Sequence, residues 1–394
     1  MENQRLTQID ALRGFALFGI LIVNIWYFAD SHFGADTSNP LYQTALDMLI
    51  RCFNALVFEA KFYLLFSFLF GYSFYLQFLA AERAGAMFQR RIWRRLIALL
   101  LLGLVHGVLL YDAEILCLYA CCGLVLFGLR NKSDAFLLKC SLALLIMAAL
   151  FWFSLGYFID IKLELKGDVV RLAAFRGDVL QTLTFHWQSF PEMFGNLLIL
   201  QSPSVIAMFL LGYCGARTNS LSSALNQAQA LRQLFWPWLP LLLPLALMNA
   251  LVYAYCTQFL TSSKTEMWAY GLQQLTAPIL SAAYVYVLLN YLIERPQSWL
   301  ALRLQAAGKF ALSNYLLQSL LLSLIFTGYG LRLIDRLAPW QIYLLAGLIY
   351  CGQLQLSWYW RHYFHYGPAE YLLRAFTLWQ FPVLRRNLER PGTN

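Results

Sequence analysis

Charged side chains are scarce in this chain. Asp, Glu, Lys and Arg together make up 12% of its 394 residues, about half of the roughly 25% that soluble proteins carry. Hydrophobic residues make up 60% of the chain. This balance excludes an ordinary soluble domain and indicates a polytopic membrane protein.

The motifs of common soluble chemistries are also missing. The chain has no Walker phosphate loop, no dinucleotide-binding fingerprint, no HExxH zinc motif and no GxSxG nucleophile motif. Its eight cysteines show neither CxxC nor Cys/His spacing, so we expect them to be small buried residues, and we expect no metal. Asp10 and Arg13 open the first apolar run. No persuasive cleavage site follows, so this run is expected to remain as a first membrane span.

Long apolar runs dominate what is present. A helix needs about 20 residues to cross a hydrocarbon core of ~30 Å. Ten stretches of the sequence qualify, at about 9–29, 55–79, 92–111, 113–129, 135–159, 193–214, 236–259, 267–292, 309–328 and 338–361. The sequence therefore predicts an all-α polytopic integral membrane protein with about ten transmembrane helices.

Lys and Arg fall in alternate connections between these runs. They concentrate in 80–95, in 130–139, around 217–232, in 295–309 and in the tail after 361. Basic connections mark the cytoplasmic side, so both termini are predicted to be cytoplasmic. The net charge of +9 is explained by this pattern, and we expect no nucleic-acid partner.

The chain is predicted to have two membrane parts and a connection. Residues 1–217 hold the first six helices, 218–233 form a cytoplasmic linker, and 234–394 hold helices seven to ten and a cytoplasmic amphipathic tail. The long outer connection 160–192 has the spacing of a short amphipathic helix on the membrane surface. Pro191 is expected to mark the entry to the sixth span.

His106, Asp112 and Glu114 are the strongest candidates for a site. They lie within nine residues of one another, at the end of one apolar run and the tight turn that follows it. A charged residue at a helix centre costs roughly 2.5–3.5 kcal/mol on insertion scales, so such groups pair, line a wet cavity or take part in chemistry. An imidazole beside a carboxylate is the usual arrangement of a general base. The alternative is a histidine satisfied by a neighbouring helix, with carboxylates that cap the turn.

Two further groups are candidates for ligand binding. Asp10 and Arg13 are three residues apart, share a helix face and can form an ion pair near a cytosolic pocket. Tyr315, Gln318 and Ser319 place hydrogen-bonding groups on one helix, where they either line a cavity for a polar ligand or join helices.

Several blocks of sequence resemble the YeiB-like family of bacterial membrane proteins, whose C-terminal half is domain of unknown function 418. The blocks are Asp10-Ala11-Leu12-Arg13-Gly14, Leu69-Phe70-Gly71, Gly103-Leu104-Val105-His106 with Asp112 and Glu114, Gly308 to Ser319, and Gly367-Pro368-Ala369-Glu370. This family is grouped with the transmembrane acyltransferases that include heparan-alpha-glucosaminide N-acetyltransferase. In that lysosomal enzyme the catalytic histidine lies in the loop after the first span. His32 is a loose positional match to that histidine, whereas His106 lies in the third predicted span.

The resemblance implies an integral acyltransferase of the bacterial inner membrane. It implies transfer of an acyl group from cytosolic acyl-CoA, with acetyl-CoA as the first choice, to a small-molecule or glycan acceptor at the periplasmic side. His106 is the expected base, oriented by Asp112 or Glu114, with His32 as the alternative. The competing hypothesis is a transporter or flippase for a small polar or lipid-linked molecule, with the same groups as a proton relay. Membrane lipid is an expected partner, and a homodimer is compatible with the sequence.

Overall fold

The computed structural model describes residues 2–33, 39–85, 87–158, 167–218, 220–259 and 263–386. Within these ranges the regular elements are α-helices, and the predicted all-α fold is confirmed. The helices are α1 Glu2–Ala29, α2 Ala45–Val57, α3 Lys61–Arg83, α4 Phe88–Leu109, α5 Ile115–Leu129, α6 Asp134–Phe158, α7 Gly167–Arg176, α8 Val179–Leu200, α9 Ser202–Arg217, α10 Ser220–Ala224, α11 Ala228–Phe235, α12 Leu239–Phe259, α13 Ser263–Glu294, α14 Trp299–Lys309, α15 Ala311–Phe326, α16 Pro339–Tyr363 and α17 Pro368–Leu378.

Six helical stretches of the described chain are long and apolar enough to cross a membrane. They are Thr7–Ala29, Ala45–Arg83, Phe88–Leu109, Asp134–Phe158, Leu239–Phe259 and Lys264–Glu294. Two bent helix pairs raise the number to eight if each pair is one span. The chain is therefore a multi-pass membrane protein, while the count of ten and the orientation remain predictions.

The predicted second span, 55–79, is interrupted. Helix α2 ends at Val57 and α3 begins at Lys61, with Ala60 between them in the left-handed conformation at φ 65°. The Lys61 side chain is buried and its Nζ donates to the carbonyl of Ala55 at 2.7 Å. A carbonyl near the end of α2 thus receives a side-chain donor in place of a continued helix.

The sixth span was predicted at 193–214, but in the structure its helix begins earlier and is bent. Helix α8 begins at Val179, because Asp178 accepts a hydrogen bond from the Gln181 backbone and forms a capping box. Pro191 therefore lies inside α8 and does not mark its start. The helix then bends by 57° into α9. Of the connection predicted at 160–192, the short helix α7 precedes α8, and the residues from Val179 onward belong to α8.

The predicted ninth span, 309–328, is the second half of a sharper bend. Helices α14 and α15 meet at Phe310 with an angle of 85°. The carboxylate of Glu370 on α17 accepts hydrogen bonds from the backbone N–H groups of Leu312 and Ser313 at 2.7 and 3.1 Å. This distant residue satisfies the N–H groups that the bend leaves without a helical partner.

The segment predicted as a linker, 218–233, is folded against the bundle. It contains α10 and most of α11, and Leu221, Leu225 and Leu231 are buried.

Helix α1 lies at the centre of the bundle, and α3, α14, α15 and α16 contact it. Close helix contacts are made at small residues. A Cβ on Gly71 of α3 would lie 2.0 Å from the carbonyl oxygen of Phe209, and one on Gly212 of α9 would lie 1.9 Å from that of Phe68. Glycine at both positions lets the two backbones touch, as is typical of helix packing in membranes.

Candidate functional site

One cavity of about 1290 Å³ extends along the helix bundle. At one end it is lined by five cationic side chains, which define the basic end: Arg13, Arg91, Arg95, Lys309 and Arg374. At the other end it is lined by three carboxylates, which define the acidic end: Glu59, Asp112 and Glu192. Arg171 also lines this end, over the ring of Tyr27. Aromatic and aliphatic side chains such as Phe66, Leu99 and Tyr119 line the passage between the two ends.

The predicted ion pair is present at the basic end. Arg13 Nη1 donates to Asp10 Oδ1 at 2.6 Å, and Arg13 Nη2 donates to Ser73 Oγ at 2.5 Å. These contacts hold the guanidinium against the cavity wall. Arg95 also faces this end, and its buried Nε has no hydrogen-bond partner in the described part of the chain.

Helix α17 closes one side of the basic end. Its Glu370 accepts a hydrogen bond from Ser313 Oγ at 2.5 Å in addition to the two backbone N–H groups of α15. Burial raises the pKa of Glu370, and the hydrogen bonds from Ser313 and Leu312 oppose that rise. Arg374 lies one turn further along α17 and lines the cavity. The tail helix is therefore part of the wall.

Of the three predicted catalytic residues, Asp112 is the one that lines the cavity. Tyr27 and Ser189 donate hydrogen bonds to its carboxylate, the latter at 2.6 Å, and His186 Nδ1 lies 3.2 Å from Oδ1. Burial alone would raise the pKa of Asp112, but the hydrogen bonds from His186, Ser189 and Tyr27 outweigh it and hold the pKa below its usual value. Asp112 is thus a buried, ionised group whose charge is compensated inside the protein.

Glu114 and His106 form a second pair beside the first. Glu114 caps α5, because its carboxylate accepts hydrogen bonds from the N–H groups of Leu116 and Cys117 at 2.7 and 2.9 Å. His106 Nδ1 lies 3.4 Å from Glu114 Oε1. Gly103 permits this approach, since a Cβ there would lie 2.6 Å from Glu114 Oε2. The turn therefore positions two carboxylates against two different histidines.

His106 is separated from the cavity by tyrosines. Its ring is 3% exposed and packs on Tyr315 and Tyr111, both of which line the cavity. The Tyr315 hydroxyl also lies 3.5 Å from Glu114 Oε1. Neither ring nitrogen of His106 has a hydrogen-bond partner in the described residues.

The other predicted ligand-binding residues are placed differently. Gln318 donates to Gln353 Oε1 at 2.9 Å and to the carbonyl of Leu17 at 3.4 Å, so it joins α15 to α16 and α1. Ser319 is buried at 2% exposure. The cavity-lining member of this group is Tyr315. His32 lies beyond the end of α1, with its Nδ1 3.1 Å from Ser31 Oγ.

His186 is the site residue whose importance the sequence did not reveal. The predicted outer connection 160–192 includes His186, because the sequence predicts the start of the following helix too late. The capping box at Asp178 and Gln181 would have put His186 and Ser189 on one face of the same helix, three residues apart. That face meets Asp112.

A helical bundle with long apolar helices and a charged internal cavity defines a multi-pass membrane protein. Residues 215–380 match the family described as "Protein of unknown function (DUF418)". The whole chain is also similar to three proteins with "uncharacterized" in their names. YxaH of Bacillus subtilis (strain 168) is 27% identical, over 98% of each chain. A 39.9 kDa protein from the amylase 3' region of Bacillus acidopullulyticus is 29% identical, over 97% of this chain and 96% of its own. YeiB of Escherichia coli (strain K12) is 28% identical, over 95% of this chain and 97% of its own. Residues 215–380 thus match this domain, and the chain as a whole is similar to YeiB-like proteins.

Proposed function

We propose that the protein is an integral acyltransferase of the bacterial inner membrane. It takes an acyl group from cytosolic acyl-CoA, with acetyl-CoA as the first donor to test, and passes it to a hydroxyl or amine acceptor at the periplasmic side. The proposal includes the relation to the transmembrane acyltransferases. It also includes ten spans with both termini in the cytoplasm, made up of the six long stretches, the two bent pairs, α5 and α16.

The cavity carries this proposal, because it joins two ends of opposite charge in one space. Two carboxylates accompany the five cationic side chains of the basic end, and each already accepts a hydrogen bond: Asp10 from Arg13, and the cavity-lining Glu370 from Ser313. Guanidinium groups bind phosphate oxygens through charge-assisted hydrogen bonds. The phosphates of CoA match this excess of positive charge, and the apolar passage suits the pantetheine arm and the acyl group.

The acidic end supplies the base. We assign that role to His106, with Glu114 orienting its ring. The acceptor oxygen or nitrogen attacks the thioester carbonyl, its proton moves to His106, and the C–S bond breaks so that the thiolate leaves with the bonding electrons. Because Tyr315 lines the cavity and contacts both His106 and Glu114, its hydroxyl connects the acceptor to the buried pair.

A transporter is the second candidate function, and one observation favours it. Two buried histidine–carboxylate pairs, His106 with Glu114 and His186 with Asp112, lie side by side as they would in a proton relay. A transporter moves its substrate intact and consumes no thioester. Release of CoA thiol therefore separates the two functions.

Donor binding is tested with purified protein in lipid nanodiscs. Calorimetric titration with CoA should show binding that weakens about 5- to 30-fold in Arg91→Gln, the loss of one charge-assisted contact of about 1–2 kcal/mol. Arg90→Gln is the matched control, because Arg90 is the exposed neighbour on the same turn of α4. Equal weakening in both variants, or no binding to the wild type, would contradict the assignment of the basic end.

Transfer is tested with labelled acetyl-CoA and envelope extracts from a deletion strain. Wild-type protein should release CoA thiol and label a glycan, lipid or small molecule, and His106→Ala protein should not. Labelling without thiol release, or thiol release that does not depend on the protein, would eliminate the acyltransferase.

Orientation is tested by cysteine labelling. Single cysteines at Ser222 and Gly167 should be reached from opposite sides of the membrane. Labelling of both from one side would refute the proposed topology.

A further inference from the structure

A second polar cluster lies beyond the acidic end of the cavity, at the outer end of α1. Asp30, Ser31 and His32 directly follow α1, and Asp335 comes from the loop between α15 and α16. The Asp335 N–H donates to the carbonyl of Ala29 at 2.9 Å. Asp335 also adopts the left-handed conformation at φ 53°, which is uncommon for a residue with a side chain. The loop is thus held in an unusual shape that brings its carboxylate to the end of α1.

The cluster contains two buried carboxylates that share one amide. Asp30 is fully buried and Asp335 is 8% exposed. Asn39 Nδ2 donates to both, at 2.9 Å to Asp30 Oδ1 and at 3.0 Å to Asp335 Oδ1. Two like charges this close repel each other, and burial adds a desolvation cost, so such a pair needs a cation nearby.

Arg171 supplies one positive charge from the opposite side. Its Nη2 donates to the backbone carbonyls of Asp30 and Phe33 at 3.2 Å each, and to that of Ser31. Because these hydrogen bonds go to backbone carbonyls and to neither carboxylate, Arg171 offsets only part of the repulsion between Asp30 and Asp335.

One atom of the cluster is available to a ligand. Asp30 Oδ1 accepts hydrogen bonds from Asn39 and from the His32 backbone, but its buried Oδ2 has no hydrogen-bond partner within the described ranges. A buried carboxylate oxygen without a partner is costly in a protein. A bound cation would remove that cost.

The donor atoms have the spacing of a metal site. One ligand atom each from Asp30, His32 and Asp335 lies within 4.8 Å of the others. Donors that bind one tetrahedral Zn²⁺ at about 2.0–2.2 Å are about 3.3–3.6 Å apart. Side-chain movements of about 1 Å therefore bring the three into coordination. The His32 side chain is 23% exposed, so a cation can enter from the outside.

We propose that Asp30, His32 and Asp335 bind a divalent transition-metal cation, for which Zn²⁺ is the best chemical match. Imidazole and carboxylate together suit Zn²⁺, whereas Mg²⁺ and Ca²⁺ take oxygen ligands alone. The ion fastens the segment after α1 to the loop before α16, next to Arg171 and Tyr27, which line the cavity. This metal site departs from the sequence-based expectation of no metal. It also assigns His32 the role of a metal ligand in place of the base.

Metal binding is tested on full-length protein in detergent, stripped with EDTA and dialysed against Zn²⁺. Elemental mass spectrometry should find one Zn²⁺ per chain. Competition with a chromophoric chelator should show affinity that falls by about 100-fold or more in Asp30→Asn, His32→Gln and Asp335→Asn, since changes outside the ligand shell already cost about 10–100-fold. Co²⁺ should give visible d–d bands that disappear in His32→Gln.

The matched control is His362→Gln, which removes an exposed histidine at the other end of α16 and should bind Zn²⁺ as the wild type does. His32→Gln is the decisive variant, because this partly exposed side chain can be changed with the fold intact, as gel filtration and CoA binding at the basic end would verify. A wild type without stoichiometric Zn²⁺, or an unaltered affinity in His32→Gln, would overturn the metal site. Neither result bears on acyl transfer, which depends on the other cluster.

Discussion

The two ends of the cavity handle charge in opposite ways. At the acidic end two of the three carboxylates accept hydrogen bonds from the protein, Glu59 from Asn54 and Tyr253 and Asp112 from Tyr27 and Ser189. Glu114, behind the cavity wall, accepts from two backbone N–H groups. At the basic end five cations outnumber two carboxylates. Glu59 and Asp112 are thus stabilised by hydrogen bonds at one end, whereas positive charge is in excess at the other.

This difference shows which end is completed by a ligand. Excess positive charge beside a cavity is stabilised when an anion enters, so the basic end is suited to binding. Carboxylates that are already hydrogen-bonded, next to imidazoles with an unpaired nitrogen, keep a fixed geometry for handling protons. The predictions below test whether the two ends differ in this way.

The largest effect is expected from the histidine of the acidic end. His106→Gln should lower the rate of acyl transfer by about 10²–10⁴-fold, the usual contribution of a general base, and leave CoA binding at the basic end unchanged. Single-turnover release of CoA thiol and calorimetry measure the two quantities. His186→Gln is the paired variant, because His186 contacts Asp112 in the same way as His106 approaches Glu114. A larger loss in His186→Gln would move the base to the Asp112 pair.

The next effect is on stability. Asp112→Asn keeps the shape of the side chain but replaces one acceptor oxygen by a donor, which faces Tyr27, Ser189 or His186. A buried polar group without its partner costs about 1–3 kcal/mol, and chemical unfolding in mixed micelles should show a loss of this size. Asp134→Asn is the control, because the Asp134–Arg217 pair is partly exposed and such pairs contribute about 0–1 kcal/mol. Equal losses would mean that the acidic end is no more tightly compensated than the surface.

The packing of the acidic end gives a third test. In Gly103→Ala the new methyl group would lie 2.7 Å from Cys117 Sγ and 2.6 Å from Glu114 Oε2. Helices α4 and α5 must then separate, at a cost of about 1–3 kcal/mol for overpacking. The distance from His106 to Glu114 should increase as well, so transfer should slow while CoA binding is retained. A variant with wild-type stability and rate would show that the hairpin is looser than its geometry indicates.

The sequence predicted the features that depend on residues close to one another along the chain. The all-α membrane class followed from apolar runs, and the Asp10–Arg13 pair from a spacing of three residues on one helix. His186 was missed because its partner Asp112 is 74 positions away, and no local pattern joins them. The bend at Phe310 was missed for the same reason, since the cap that stabilises it comes from Glu370 on another helix.

The smallest effect should come from a glycine at the other end of the same hairpin. Gly128 lies in the last turn of α5, near the basic end, and a Cβ there would meet no atom within 4 Å. Alanine restricts the unfolded chain and favours the helix by roughly 0.5–1 kcal/mol relative to glycine. Gly128→Ala should therefore stabilise the protein slightly, as a small rise in melting temperature, without any change in CoA affinity or transfer rate. If Gly103→Ala lowers stability and Gly128→Ala raises it, the tight packing of this hairpin lies at the acidic end. If both variants are destabilised, the open space beside Gly128 is filled in the membrane by lipid or by a second copy of the chain.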